Sequence, residues 1–214
     1  MISRRSLLWA GALAPLSASA LAAQKYTPGK EYLLVDPPAE NTAGKVDVVL
    51  FFAYTCPHCL RFEPVWKKWA KTAAADVNVR VCPVAWQPKY EPFTDTYFAL
   101  EALGLLDKLS EPFFESVIYQ THSYDFGSAA KDIRSFMVEK GVDGAKWDAA
   151  VSSFGVKNKT RRATALWQAY QIDSTPMVGV GGRYSTGAHL VGTREATPAC
   201  IDYLVDLCRK QNRG

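Results

Sequence analysis

The hydrophobic pattern divides the chain into three stretches. In the first, apolar residues come in short runs of strand character. Glu31 to Val35 reads as a short strand that Pro37-Pro38 ends. Asp47 to Tyr54, within an apolar run that starts at Val46, is rich in Val and Phe and long enough to be central. Val77 to Val84 is a further strand, alternating in its first half. Between these two a helix is expected from Cys56 to Ala75, with Pro57 tolerated in its first turn and Pro64 expected to kink it. Strand, helix, strand in that order predicts a parallel pair.

The second stretch, residues 88–170, repeats apolar positions at helical spacing and has little β-branched character. It predicts helices over Phe93 to Leu103, stopped by Gly104, then Glu111 to Tyr119. Further helices are expected over Ala129 to Lys140, Trp147 to Phe154 and Lys157 to Tyr170. Ser128 is the candidate N-cap of the third, and Gly141 its stop. In the third stretch Pro176 to Val180 reads as a strand, Gly181-Gly182 as a turn and Arg183 to Ser185 as the returning strand. Thr197-Pro198 then offers an N-cap and a first-position proline for a last helix to about Arg209. The chain is therefore an α/β protein with a helical insertion. Residues 23–87 and 171–214 form one domain and residues 88–170 the insert.

The N-terminus reads as an export signal. Arg4 and Arg5 form a basic start with no acid nearby, Leu7 to Leu16 is a short apolar stretch, and Ala20-Leu21-Ala22 fits a small-residue cleavage rule. Cleavage is expected after Ala22, so residues 1–22 are a signal peptide. The apolar stretch is shorter than the ~20 residues a membrane-spanning helix needs. Ser3 to Leu8 fits a twin-arginine signal as well as the general route.

Losing residues 1–22 removes two arginines from 25 basic residues, leaving 23 against 21 acidic ones. That balance argues against nucleic acid or a membrane surface as the main partner. Five cysteines in 214 residues are too few for a disulfide scaffold.

Two of those cysteines carry the chemistry. Cys56-Pro57-His58-Cys59 stands where a strand feeds a helix. The thiolate is the reactive form of cysteine, and the unpaired N–H groups and dipole of a helix start favour it at Cys56. His58 adds a donor or a positive charge beside the sulfur. A stabilised thiolate favours the reduced pair and makes the Cys56–Cys59 disulfide a stronger oxidant. Cys59, a turn deeper and followed by Leu60 and Phe62, is expected to be buried and to act as the resolving thiol. Zinc is disfavoured, because no second CxxC or HxxxH completes four ligands. An inert structural bridge is disfavoured by the tight spacing. No metal and no cofactor beyond the disulfide is expected.

This motif after Val49-Leu50-Phe51-Phe52 and before Phe62-Glu63 resembles the DsbA-type thiol:disulfide oxidoreductases of the bacterial periplasm. That family is known for an acidic catalytic cysteine and strong oxidising power. The resemblance covers nearly the whole mature chain and implies a thioredoxin fold with an inserted helical domain. It also implies a cis-proline loop at Thr175-Pro176 facing the cysteines. The loop's backbone would pair with an extended substrate, and Thr175 would tune potential and substrate choice. Glu63 matches a buried carboxylate of the family that helps proton transfer near Cys59. Two positions depart from the pattern. The family often carries a buried acid where this chain has Leu50, and a basic residue where it has Val81.

Of the remaining cysteines, Cys200 and Cys208 lie about 12 Å apart along one expected helix, too far to bridge each other. Either could pair with Cys82, or all three are small core residues, the reading their apolar neighbours Ile201 and Leu204 favour. His122 and His189 read as isolated surface residues. Trp86 reads as a core or helix-face residue, with the substrate groove as the alternative.

The expected function is a periplasmic, monomeric oxidase that passes its disulfide to unfolded exported proteins with free thiols. A DsbB-type quinone-linked membrane partner, implied by the family alone, would reoxidise it. The rivals are a disulfide reductase or isomerase, and a non-catalytic peptide-binding chaperone using the groove beside Pro176.

Overall fold

The computed structural model describes residues 25–211. The expected signal peptide lies outside them. Five strands form one mixed sheet in the order β1-β5-β4-β2-β3. They are β1 (Leu33–Leu34), β2 (Val46–Phe52), β3 (Val77–Pro83), β4 (Met177–Val180) and β5 (Tyr184–Thr186). β2 lies second from one edge and is buried at all seven positions, six of them apolar and the remaining one Asp47. It runs parallel to β3, the pairing predicted for a strand–helix–strand unit, and antiparallel to β4.

The sheet packs on α1 (Pro57–Ala70) and α8 (Thr197–Gln211), with the short α7 (Ala188–Val191) beside α8. Phe62, Trp66 and Trp69 of α1 and Ile201, Leu204 and Val205 of α8 supply the buried faces. Each such side chain contributes roughly 1.5–3 kcal/mol relative to exposure. The insertion between β3 and β4 is entirely helical: a 3₁₀ turn at Pro88–Tyr90, then α2 (Glu91–Ala102), α3 (Leu106–Ile118), α4 (Ala129–Glu139), α5 (Gly144–Ser152) and α6 (Phe154–Ala169). Its core is aromatic: Phe93, Phe113, Tyr124 and Phe136 meet there. Tyr54, fully buried beyond β2, joins the two layers through Phe113 and Phe114.

Several expected boundaries move, each for a local reason. The first strand shrinks from Glu31–Val35 to two residues, because Thr27 to Tyr32 spend their hydrogen bonds on a turn. β2 stops at Phe52 rather than Tyr54, because the Cys56 amide bonds to the Ala53 carbonyl and turns the chain. The first helix excludes Cys56, which caps it, and ends at Ala70 rather than Ala75; the Thr72 hydroxyl and amide both take the Trp69 carbonyl. It runs unbroken through Pro64. α3 begins five residues before the expected Glu111 and carries Pro112 inside it.

Ser128 stands at the N-cap position of α4 as expected but makes no side-chain cap bond; its hydroxyl donates to Asp132 of the helix instead. Ser153 both ends α5 and caps α6, so the expected break near Phe154 comes one residue earlier. Thr197 is the first residue of α8 rather than its cap. The 3₁₀ turn and α7 were not expected at all. No described helix is long and apolar enough to cross a membrane.

Candidate active site

The site forms where β2 gives way to α1. Cys56 has extended backbone angles, φ −106° and ψ 109°, and occupies the N-cap position. Its sulfur stands where a serine or aspartate oxygen usually caps a helix, and the Cys59 amide donates to it at 3.4 Å. Pro57 fills the first helical position, where a missing N–H leaves no gap in the hydrogen bonding. Cys56 is half-buried and Cys59 is buried, and both are free thiols.

The Thr175–Pro176 peptide is cis, and its loop stands against the motif, with the Cys56 sulfur 3.3 Å from the Thr175 carbonyl oxygen. Thr175 and Pro176 are half-exposed, so the loop backbone is open beside the Cys56 sulfur. His58 is exposed and its Nδ1 meets the Arg61 guanidinium at 3.1 Å, so His58 faces outward rather than over Cys56.

The two thiols are pushed in opposite directions. The Cys59 thiol donates to Cys56 and lowers its pKa to about 5; burial opposes this, and Thr175 and the backbone amides of Cys59 and His58 add to the lowering. Burial pushes the Cys59 thiol far up, and the neighbouring Cys56 sulfur pushes it further. At neutral pH the pair holds one thiolate, on Cys56, and one proton, on Cys59.

Beneath Cys59 lies a cavity of about 220 Å³ between the sheet, α1 and the insertion. Glu63 reaches it from α1 with only 18% of its side chain exposed. Leu50 and Val81 are register partners on β2 and β3, and both line the same cavity. The two departures from the family pattern are thus one change: an apolar pair makes a single wall beneath Cys59.

The other cysteines are separate buried thiols. Cys82 lies against the Ala163 carbonyl, Cys200 against Thr186 and the Glu31 carbonyl, and Cys208 against Gly181. Burial pushes Cys82 to about 12 and Cys208 to about 11, so neither forms a thiolate at neutral pH. His189 is exposed. His122 is not an isolated surface residue: it is largely buried between the Asp132 carbonyl (3.1 Å) and Glu139 (3.5 Å). Trp86 packs edge-on against Trp167 of α6 and remains 38% exposed. Among the described residues no group of three or more His, Cys, Asp or Glu could hold a metal ion.

Three site residues carried no signal in the sequence. Gly187 has ordinary extended angles, yet a Cβ there would come within 2.8 Å of Met177 Sδ and 3.1 Å of the Pro176 carbonyl oxygen. It is glycine so that the chain after β5 can close on the proline loop. Lys67 and Glu111 belong to no motif, but they meet at the cavity mouth.

Residues 47–195 match the family described as DSBA-like thioredoxin domain. The thiol:disulfide interchange protein DsbA of Bordetella parapertussis is 36% identical over 206 residues, 95% of this chain and 96% of that protein. The protein of the same name from Pseudomonas aeruginosa is 32% identical, covering 94% and 96%. The crystal structure of Pseudomonas aeruginosa DsbA superposes with a TM-score of 0.81 at 29% identity, over 90% of this chain and 99% of that one. The oxidoreductase NmDsbA1 of N. meningitidis does so with a TM-score of 0.76 at 29% identity, over 87% and 95%. The five-stranded sheet interrupted by helices is accordingly a thioredoxin fold with a helical insertion, and its CPHC motif stands at a helix start beside a cis-proline loop. The chain belongs to the DsbA-like thioredoxin family and is a thiol:disulfide oxidoreductase.

Proposed function

We propose that this protein donates its Cys56–Cys59 disulfide to exported proteins during oxidative folding. The observation that carries this reading is the split between the two thiols. Cys56, lowered to about 5, is a stable leaving thiolate, whereas Cys59 keeps its proton. A disulfide whose reduced form is stabilised in this way gives itself up readily.

The sequence of events follows from the geometry. A substrate thiolate attacks the Cys56 sulfur, the half-exposed member of the pair. The Cys56–Cys59 bond breaks, and its electron pair leaves on Cys59, which takes up a proton. The second substrate thiolate then attacks the substrate sulfur of the mixed disulfide. Cys56 departs as thiolate, so two electrons have passed from substrate to enzyme and the substrate holds the new disulfide. Pro57 and the helix start hold Cys56 ready to leave. Thr175 and Pro176 offer an open backbone beside it for an extended peptide. Glu63, in the cavity that Cys59 lines, is the group placed to exchange the Cys59 proton. His58 acts through its backbone amide on the Cys56 sulfur, with its ring turned outward to Arg61.

The chemistry rests on two sulfurs and calls for neither metal nor cofactor. The basic and apolar start of the chain, with its small-residue site at Ala22, supports a periplasmic location after cleavage. Reoxidation is assigned to a DsbB-type quinone-linked membrane protein, and the working form is a monomer. Single-turnover mixing of oxidised protein with a reduced, unfolded dithiol substrate tests the reading. The substrate is expected to gain one disulfide per enzyme oxidised. Cys59→Ser, treated with an external disulfide and then substrate, is expected to accumulate mixed disulfides visible on non-reducing gels. A peptide-binding chaperone would instead keep its full effect in Cys56→Ser, and that result would end the oxidase reading.

A further inference from the structure

We propose that the proton exchanged by Cys59 travels along the seam between α1 and α3, through Glu63, with Lys67 as the positioning residue that Glu111 of the insertion holds in place. This deepens the proton-relay role given to Glu63 above and rests on it.

On the sheet side of the cavity Leu50, Phe52 and Val81 are apolar, so no group there can accept a proton. Of the polar side chains, Glu63, Lys67, Asp107, Ser110 and Glu111 lie on the α1 and α3 side, and Tyr97 reaches the cavity from α2. The cavity is large enough to hold water, and its polar lining favours it. Ser110 is itself engaged with the buried Tyr54 hydroxyl at 2.7 Å, which leaves the carboxylates as acceptors.

Glu63 is held in a divided state. Its Oε1 pairs with Lys67 Nζ at 2.8 Å, and its Oε2 is buried with no protein partner among the described residues. One oxygen is therefore anchored and the other is free to exchange a proton. Lys67 bridges to Glu111 Oε2 at 2.9 Å, so the cation stands between a carboxylate of the sheet domain's helix and one of the insertion. Burial alone would lower the Lys67 pKa, but the pairings with Glu63 and Glu111 outweigh it and raise it, which keeps the bridge charged. The groups that face Glu63 are Cys59 and Lys67 of α1, Tyr54 after β2, Tyr97 of α2, and Asp107 and Glu111 of α3. β3 contributes only Val81.

During reoxidation Cys56 carries a mixed disulfide with the oxidant. Cys59 gives its thiol proton to Glu63 by way of the cavity and attacks the Cys56 sulfur, and the oxidant's sulfur leaves with the electron pair. Glu63 then releases the proton to solvent at the seam. In substrate oxidation the proton runs inward by the same route to the departing Cys59 thiolate.

The test isolates this step. Reduced protein is mixed with oxidised glutathione, quenched in acid, and the conversion of the Cys56–glutathione species to the Cys56–Cys59 disulfide is followed by mass between about pH 4.5 and pH 8. Glu63→Gln is expected to slow it about tenfold or more near pH 5, with the deficit closing as pH rises and hydroxide takes over. Lys67→Met is expected to show the same pH-dependent deficit at about threefold to tenfold, Lys67→Arg to restore the original profile, and Glu111→Gln to fall between. Glu63→Gln/Lys67→Met is expected to be no slower than Glu63→Gln alone. Lys67 and Glu111 are half exposed, with side-chain exposures of 50% and 55%, so these variants should fold, and their thermal midpoints check it. If Glu63→Gln slows the step while Lys67→Met and Glu111→Gln keep the original profile, the positioning role is overturned and the relay stands. If Glu63→Gln itself leaves the profile unchanged, the relay reading fails and takes this proposal with it. A deficit in Lys67→Met that is equal at every pH would show a merely structural role and overturn the proposal.

Discussion

Cys56 and Cys59 stand three residues apart, one capping α1 and the other in its first turn, yet their surroundings assign them opposite states. Cys56 lies outside the helix, at its positive end, half-buried, with a thiol, two amides and a proline loop directed at it. Cys59 lies within the helix, 3% exposed, over a cavity walled by Leu50, Phe52 and Val81. Hydrogen bonds to the charged form win at the first and desolvation wins at the second. A single turn of helix is thus enough to separate a stabilised thiolate from a buried thiol that keeps its proton.

The most direct way to break that comparison is to titrate the reduced protein by alkylation rate. One motif thiol is expected to react with a midpoint near pH 5 and the other to stay unreactive through neutral pH. Two midpoints near the ordinary thiol value, ~8.5, would erase the distinction. The same shift sets the pH dependence of stability. A thiol whose folded pKa is depressed contributes stability that is complete above its unfolded value and lost as pH falls through the folded one. The stability of the reduced form relative to the oxidised form should therefore decline between about pH 8.5 and pH 5 and level off below. Calorimetric scans of both forms across that range would measure it.

Cys59→Ala sharpens the comparison by removing the largest contributor to Cys56 acidity. The alkylation midpoint is expected to rise by a unit or more, about tenfold less thiolate near the original midpoint. An unchanged midpoint would mean that the helix start alone makes Cys56 acidic. Asp47→Asn serves as the control remote from the motif. Asp47 is 1% exposed on β2 and is held by Arg80 at 3.0 Å, Asn78 at 2.7 Å and the Thr42 amide at 3.1 Å. Burial would raise its pKa, but these hydrogen bonds outweigh it and the net shift is downward. The substitution is expected to cost about 1–3 kcal/mol in denaturant unfolding while leaving the Cys56 titration alone. Because the folded pKa is depressed, Asp47's contribution in the parent protein is present above about pH 4 and is lost at more acid pH. The smallest effect is expected from Thr175→Val, which removes one weaker contributor to the thiolate. Its midpoint should rise by less than that of Cys59→Ala, and an equal or larger rise would reverse the order of causes.

The architecture was legible because each element announced itself locally. Val46 to Phe52 is apolar at every position but Asp47, Gly181-Gly182 marks a turn, and the insertion has little β-branched character. The candidate pair was legible for the same reason, since two cysteines around Pro-His at a strand end admit few other readings. What stayed hidden depends on parts of the chain distant in sequence. That Leu50 and Val81 form one wall follows from the β2–β3 register. Lys67 and Glu111 are 44 residues apart and meet only when α1 and α3 pack. His122 looked isolated because its partners, Asp132 and Glu139, come from α4. The start of α3 stayed hidden because Pro112 is accommodated within that helix, and the double use of Ser153 because Gly155 is accommodated within α6.

The measurement that tests the central claim most directly is the equilibrium of the Cys56/Cys59 pair with glutathione buffers, read by thiol labelling and mass of the peptide that contains both. If the split between the two thiols stabilises the reduced form, the pair will be reduced even in mostly oxidised buffer. A pair that stays oxidised until the buffer is strongly reducing would contradict that account and leave a reductase-like or structural disulfide.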